Sequence, residues 1–254
     1  MPTSPRDREI VDLLNASGSA RIGDVARRLS VTEETIRRAA KRLEAAGTVT
    51  RVHGGLLLKD WGPEPSFAQR FALNPLAKRR IAAHLAGMIS DGASLFLDVG
   101  STTAYVAQAL RQHRELLVVT NSLAVAQALA SRNGNRLFMA GGELRSHDGG
   151  AFGDEALAFV RQFQVQFAVL SAAAVDARAG FLLHDLREAE FSRTIIRHAA
   201  QSIIAADASK FGRSAPICLG DPAAIHRLVT DAAPPADIAA LLTGAGVEIS
   251  LAPR

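Results

Sequence analysis

The sequence predicts an α/β protein in two parts: an N-terminal winged helix-turn-helix and a larger α/β domain on a parallel sheet. Three observations carry this. Residues 1–57 read as three short amphipathic helices and a Gly-containing hairpin; residues 58–75 hold three prolines and little periodicity; residues 76–254 alternate short β-rich runs with helical stretches. The middle segment is therefore the expected linker.

The first helix is expected over "RDREIVDLL", where Ile10, Leu13 and Leu14 form an apolar stripe that ends near "NASGS". "RIGDVARRL" repeats the pattern at Ile22, Val25, Ala26 and Leu29 and breaks at Ser30-Val31. Thr32 then has the hydroxyl of an N-cap, Glu33 and Glu34 suit the positive end of a helix dipole, and Gly47 is a natural stop. "TVTRVHGGLLL" alternates β-branched and polar residues around a Gly pair, which predicts a hairpin. Further on, "LAKRRIAAHLAGMI" is helical, and "SLFLD", "LLVVT", "RLFMA", "FAVLS", "SIIAA" and "RLVT" are the expected strands.

Composition bounds the partners. The chain has 254 residues, 48% of them hydrophobic, with net charge +4 and a sequence pI near 9.8. The first 60 residues hold 11 Lys and Arg against 8 Asp and Glu, so most of the basic excess lies in the first quarter. One cysteine, Cys218, excludes an intrachain disulfide or a cysteine-cluster metal site. No run approaches 18 consecutive apolar residues, and "MPTSPRDREIVDLL" mixes charges of both signs, so a cytoplasmic protein without a membrane span is expected.

"TEETIRRAAKRL" carries the sharpest functional signal. At about 100° per residue, Ile36, Ala39, Ala40 and Leu43 share one face, while Arg37, Arg38, Lys41 and Arg42 occupy an arc between roughly 100° and 240° from Ile36. A charge run is usually a solvated face. Here Glu44 is the only acid after Glu34, and the helix stands third, after a short break, where a recognition helix lies in the major groove. Thr35 and the four bases are thus expected to reach phosphates or base edges of double-stranded DNA.

In the second part, "LFLDVGSTTAYVAQAL" is a strand, an acid, a glycine, three hydroxyl residues and a helix. Gly100 permits a tight turn, and the N–H groups of Ser101, Thr102 and Thr103 form a potential anion site. Each such residue alone is more often a loop residue or a helix cap. Convergence is the signal, because ligands of parallel sheets bind beyond the strands' carboxyl ends. Asp98 ends one run, Thr120-Asn121-Ser122 follow a second, Gly141-Gly142-Glu143 a third, and Asp207, Ser209 and Lys210 a later one. Together they suit a phosphorylated, hydroxyl-rich small molecule.

"LSVTEETIRRAAKRLEAAGTVTRVHGG" resembles the DNA-binding segment of the DeoR family of bacterial transcriptional regulators. Thr35, Ile36, Arg37, Arg38, Gly47, Arg51, His53, Gly54 and Gly55 fit that pattern; Thr32 replaces the usual Ser, and Ala39-Ala40 the usual Asp-Leu. The resemblance adds Thr32, Arg51 and His53 to the expected DNA-binding residues. His53 has two open readings, a packed turn residue or a backbone or minor-groove contact. "IAAHLAGMISDGASLFLDVGSTT", "VVTNS", "AGGELR", "DASKFG" and "LVTD" resemble the family's effector domain, whose fold is similar to ribose-5-phosphate isomerase.

What the resemblance implies is a repressor of carbohydrate or glycerol metabolism. Its DNA affinity would be modulated by a phosphorylated metabolite such as glycerol-3-phosphate or a sugar phosphate, with Arg145 among the effector-binding residues. A homo-oligomer, dimer or tetramer, is expected because spaced half-sites need paired helices. The rival reading is a sugar-phosphate isomerase with Asp98, Glu188 or Lys210 in acid-base roles. An attached DNA-binding module adds nothing to an isomerase, so no catalytic residue is assigned. The seven histidines show no metal-ligand spacing, His84, His113 and His198 reading as ordinary helix or loop residues, and no metal or cofactor is expected.

Overall fold

The computed structural model describes residues 4–17, 19–52, 55–58 and 66–253. Helices α1 (Pro5–Ser17), α2 (Ile22–Arg28) and α3 (Glu33–Ala45) are followed by strands β2 (Val49–Val52) and β3 (Gly55–Leu58). A short strand β1 (Ser19–Arg21) pairs antiparallel with β3, giving the order β1-β3-β2. The sequence does not announce β1, because three residues are too few to show a period.

The helix-turn-helix follows from local chemistry. Ser30 adopts φ 53 between α2 and α3, Thr32 caps α3 by accepting the Thr35 N–H at 3.3 Å, and Gly47 ends the helix region at φ 72. Ile36, Ala39, Ala40 and Leu43 bury the predicted apolar face against Ile10, Leu14, Val25 and Leu56. Both alanines have no exposed surface, so they serve as close-packing residues.

In the second part, β4 (Ser94–Leu97), β5 (Leu117–Thr120), β6 (Arg136–Met139), β7 (Val165–Ser171), β10 (Ala199–Ala205), β12 (Arg227–Thr230) and β13 (Glu248–Leu251) form one parallel sheet. Its order is β13-β12-β10-β7-β4-β5-β6. All six strands expected from sequence are present. β13 was missed, and so was an antiparallel sheet of β8 (Ala174–Asp176), β9 (Gly180–Leu183) and β11 (Ile217–Cys218).

Both faces of the parallel sheet are covered, which explains its nearly continuous apolar runs. Leu95, Leu97, Val118, Val169 and Ile203 pack toward α5 (Pro75–Ala86), α6 (Ser101–Ala109) and α7 (Leu123–Leu129). Phe96, Val119, Ala168, Leu170 and Ile204 face α8 (Asp154–Val160), α9 (Leu186–Arg197) and α10 (Ala236–Gly244). Among the described residues no helix is long and apolar enough to cross a membrane.

Ile36 has no exposed surface and anchors α3. Ile36→Ala is expected to cost the N-terminal domain about 2–5 kcal/mol. Its unfolding should move to lower urea while that of the sheet domain stays in place, as followed by circular dichroism.

Candidate nucleic-acid interface and effector site

The exposed face of α3 carries the predicted bases, but the expectation of a basic arc without acidic partners is corrected. Arg37 Nη2 lies 2.9 Å from Glu33 Oε2, and Arg38 Nε 3.2 Å from Glu34 Oε1, both one helical turn back. Arg42 Nη2 donates to Asp7 Oδ1 at 2.8 Å, and Asp7 is fully buried in the first turn of α1. Arg51 Nε donates to Glu44 Oε2 at 2.6 Å, and its backbone N–H reaches Oε1 at 3.3 Å. Those Arg51 hydrogen bonds hold the Glu44 carboxyl below its usual range. Only the partners' positions in the fold disclose the Asp7 and Glu44 pairs, although the spacing of Glu33 and Glu34 already permitted theirs.

Lys41 is exposed and makes no ion pair with any described residue. Thr35 is exposed, its hydroxyl 2.9 Å from that of Thr32. His53 lies outside the described residues.

In the parallel sheet, connections leave β4 toward β5 and β6 and leave β7 toward β10, β12 and β13. Direction therefore reverses between β4 and β7, and a crevice opens at their carboxyl ends. Asp98 sits there with 2% of its surface exposed; its Oδ2 accepts the Ser171 N–H at 2.9 Å and the Ser171 hydroxyl at 3.3 Å. Its Oδ1 is buried with no hydrogen-bond partner among the described residues. Asn121, at the end of β5, repeats this: Nδ2 donates to the Ala151 carbonyl at 3.1 Å, and Oδ1 is buried without a partner.

Gly100 is required by space. A Cβ there would stand 2.4 Å from Ser171 Oγ and 2.9 Å from Thr103 Oγ1. Ser101, Thr102 and Thr103 are buried at the N-terminus of α6, where the first N–H groups have no intrahelical acceptor. The Thr103 hydroxyl donates to the carbonyls of Asp98 and Gly100, both at 3.0 Å, so that side chain shapes the turn.

The loop from Gly141 to Ala151 folds over this edge. Gly141 and Gly142 are exposed, Gly142 at φ 117, whereas a Cβ on Gly150 would meet Val99 at 3.1 Å. Arg145 pairs with Asp148, lies 3.4 Å from Asp185 and 3.2 Å from Glu188, and stacks 4.3 Å from the Phe152 ring centroid. Burial alone would favour deprotonation of Arg145, but its carboxylate partners outweigh this and raise its pKa. Asp148, likewise opposed by burial, is held below the usual carboxylate range by Arg145. Beside this hub lies a cavity of about 350 Å³ lined in part by Arg145, Ser146, Phe152 and Arg187.

Three residues that sequence reading left in or beside the linker join the site. Helix α4 (Phe67–Ala72) places Arg70 Nη2 3.7 Å from Asp148 Oδ2. Asn74 Nδ2 donates to Asp207 Oδ1 at 3.0 Å. Lys78, 2% exposed, donates from Nζ to the carbonyls of Arg70 and of Leu73, the latter at 2.7 Å. Burial lowers its pKa to about 8, against the attraction of Asp207, and nearby Lys210 and Arg70 lower it further. The pair Arg70 and Lys78, flanking Asn74-Pro75, was the available sequence signal. Lys210, in a 3-10 turn after β10, completes the basic rim.

Three expected ordinary histidines have structural contacts. His84 Nε2 is 2.9 Å from the Ser250 hydroxyl, His113 Nε2 meets the carbonyls of Ala86 and Ile89 at 3.1 and 3.0 Å, and His198 Nδ1 meets Gln164 at 3.0 Å. Among the described residues, no group of three or more His, Cys, Asp or Glu is placed to hold a metal ion.

The pairing of a winged helix-turn-helix with a parallel-sheet α/β domain agrees with the comparisons. A DeoR-like helix-turn-helix domain matches residues 6–60, and a DeoR C terminal sensor domain matches residues 73–232. The chain belongs to the DeoR family of transcriptional regulators.

Among its relatives, the glycerol-3-phosphate regulon repressor of Escherichia coli (strain K12) is 34% identical over 251 residues, covering 99% of this chain and 100% of that protein. The HTH-type transcriptional repressor CsqR of the same organism is 33% identical, covering 98% and 95%. The glycerol-3-phosphate regulon repressor of Haemophilus influenzae is 35% identical, covering 92% and 91%. Ribose 5-phosphate isomerase A from Methanocaldococcus jannaschii shares 17% identity over 54% of each chain, with a TM-score of 0.40. These repressor relatives overturn the isomerase alternative: the chain is a regulator, not an enzyme.

Burial pushes the Asp98 carboxyl from 3.8 up to about 6, against the Ser171 hydrogen bonds and the charge of Arg70, which pull it down. The folded state then binds the extra proton between those values, so stability falls as pH rises through that window. Asp98→Asn removes the titration. Its urea midpoint should gain on that of the unaltered protein between about pH 4 and pH 6; parallel midpoints would show an ordinary carboxyl.

Proposed function

We propose that the chain represses genes of carbohydrate or glycerol metabolism in the cytoplasm, as a dimer or tetramer. A phosphorylated polyol or sugar modulates its affinity for operator DNA. The observation that carries this reading is the pair of buried acceptors, Asp98 Oδ1 and Asn121 Oδ1, beside the N–H groups of α6. Two neighbouring acceptors without donors call for ligand hydroxyls, because leaving each unsatisfied costs about 1–3 kcal/mol. The α6 N-terminus, with the positive charge of Arg70 acting on Asp98 beside it, favours a phosphate. Glycerol-3-phosphate and sugar phosphates carry both groups.

The route to DNA runs through α4. The Phe67 N–H donates to the His147 carbonyl at 3.0 Å, the Phe71 ring stacks 4.5 Å from Tyr105 of α6, and the Tyr105 hydroxyl donates to the Phe71 carbonyl at 3.2 Å. The last part of the linker is thereby held by the 141–151 loop and by α6. We take residues 1–57 as the DNA-binding part, 58–75 as the linker and 76–254 as the sensor, with α4 moving with the sensor. A ligand that favours one position of loop 141–151 biases α4 and the spacing of paired recognition helices by its differential affinity for the two arrangements.

Thermal shift with glycerol-3-phosphate, ribose-5-phosphate, glycerol and inorganic phosphate tests the pocket. A cognate phosphorylated compound should raise Tm by roughly 5–10 °C at a hundredfold excess over Kd and change duplex affinity at least about fivefold. Lys210→Ala should abolish the shift and leave unliganded DNA binding; Arg38→Ala should do the reverse. Loss of both activities in both variants would refute this division, and no response to any phosphorylated compound would refute the sensor.

A further inference from the structure

Arg37, Arg38, Arg42 and Arg51 each meet a carboxylate of their own domain, but one of these carboxylates occupies a different kind of place. Asp7 is buried on α1, and Glu44 lies near the far end of α3. Glu33 falls near 60° from Ile36 on the helical wheel, at the margin of the basic arc. Glu34 falls near 160°, inside the arc that runs from Arg37 to Arg42 and beneath Lys41. Its side chain is 61% exposed and its carboxylate accepts from Arg38. It stands in the first turn of α3, the end of a recognition helix that meets base edges.

A carboxylate at that place only accepts hydrogen bonds. Phosphate oxygens, guanine O6 and N7, and thymine O4 are acceptors too, whereas cytosine N4 and adenine N6 donate. We propose that Glu34 is a specificity-determining residue: it requires an exocyclic amino group of cytosine or adenine in the major groove and holds Arg38 from non-cognate backbone. The inference rests on the DNA-binding reading of α3.

On an unrelated duplex, Arg38 can reach a phosphate only by leaving Glu34 facing the polyanion. The exposed i,i+4 pair is worth only a few tenths of a kcal/mol. Discrimination therefore comes from a carboxylate left without a donor. At a cognate site the base amino group supplies that donor, and Arg38 is released to phosphate or guanine. A purely structural Glu34, interacting with the helix dipole, would shift stability and affect all duplexes alike.

The test uses the full chain, Glu34→Ala, and Glu33→Ala as the control from the same turn. Each is titrated with a duplex selected from a random library by the unaltered protein and with an unrelated duplex of equal length. For Glu34→Ala, affinity for the unrelated duplex should rise at least about fivefold, with a log K against log salt slope steeper by about 0.9 for one added phosphate contact. Affinity for the selected duplex should hold or fall, so their ratio drops about fivefold or more, and reselection should lose preference at one base position.

Glu33→Ala should leave the ratio within about twofold. A Glu34→Ala ratio within about twofold of the unaltered protein, or an equal change in Glu33→Ala, overturns the proposal. Failure of the unaltered chain to enrich any duplex overturns the DNA-binding reading, and the proposal with it.

Discussion

A carboxylate with almost no exposed surface, Asp98, accepts both donors of Ser171 at the crevice beyond the paired ends of β4 and β7. The sensor domain is organised around that crevice. Because the chain leaves β4 one way and β7 the other, the connections part at these two strand ends, and polar groups gather where backbone N–H groups are free. The Asp98–Ser171 clamp needs the strands close together, and that closeness excludes even a methyl group at Gly100. The same closeness buries the Asp98 carboxyl and raises its pKa. One constraint thus sets the shape of the crevice, its hydrogen-bonding demand and its proton affinity.

Charges in the two parts of the chain are handled by different means. Around the crevice, Arg145 joins Asp148, Asp185 and Glu188, three carboxylates from the loop and from the start of α9. These pairs are partly buried, so they resist salt and define loop geometry more than they add net stability. On α3 the Glu33–Arg37 and Glu34–Arg38 pairs are exposed and exchangeable. The first arrangement suits a fixed scaffold; the second leaves side chains able to change partner on meeting DNA.

Helix α4 joins these two regimes. It lies in a proline-containing stretch that periodicity marks as linker, and its six residues are too few for an apolar stripe to declare itself. Its anchoring comes from residues distant in sequence: the Tyr105 ring and hydroxyl, the His147 carbonyl, the Asp148 carboxylate and Lys78 at its end. A capping box at Ser66 and Gln69 starts it. The linker's last turn is therefore packed as part of the second domain, in contact with the 141–151 loop at His147 and Asp148.

The chain's own pattern was sufficient for the helix-turn-helix, the Thr32 cap, the Gly47 stop and six strands of the parallel sheet. Those features depend on side-chain period, hydroxyl capping and glycine at positive φ, all of which are local. The pattern also singled out Asp98, Gly100, Asn121 and Lys210, because polar residues after apolar runs mark a sheet edge. Tertiary structure alone decided that Arg42 belongs to Asp7, that the Thr103 hydroxyl serves its own turn, that β8, β9 and β11 form a separate sheet, and that Arg70 stands by Asp148, Asn74 by Asp207 and Lys78 on the carbonyls of Arg70 and Leu73. Each depends on a partner tens of residues away or on a turn's exact path, and a one-dimensional period carries no information about which distant group will stand within 3 Å.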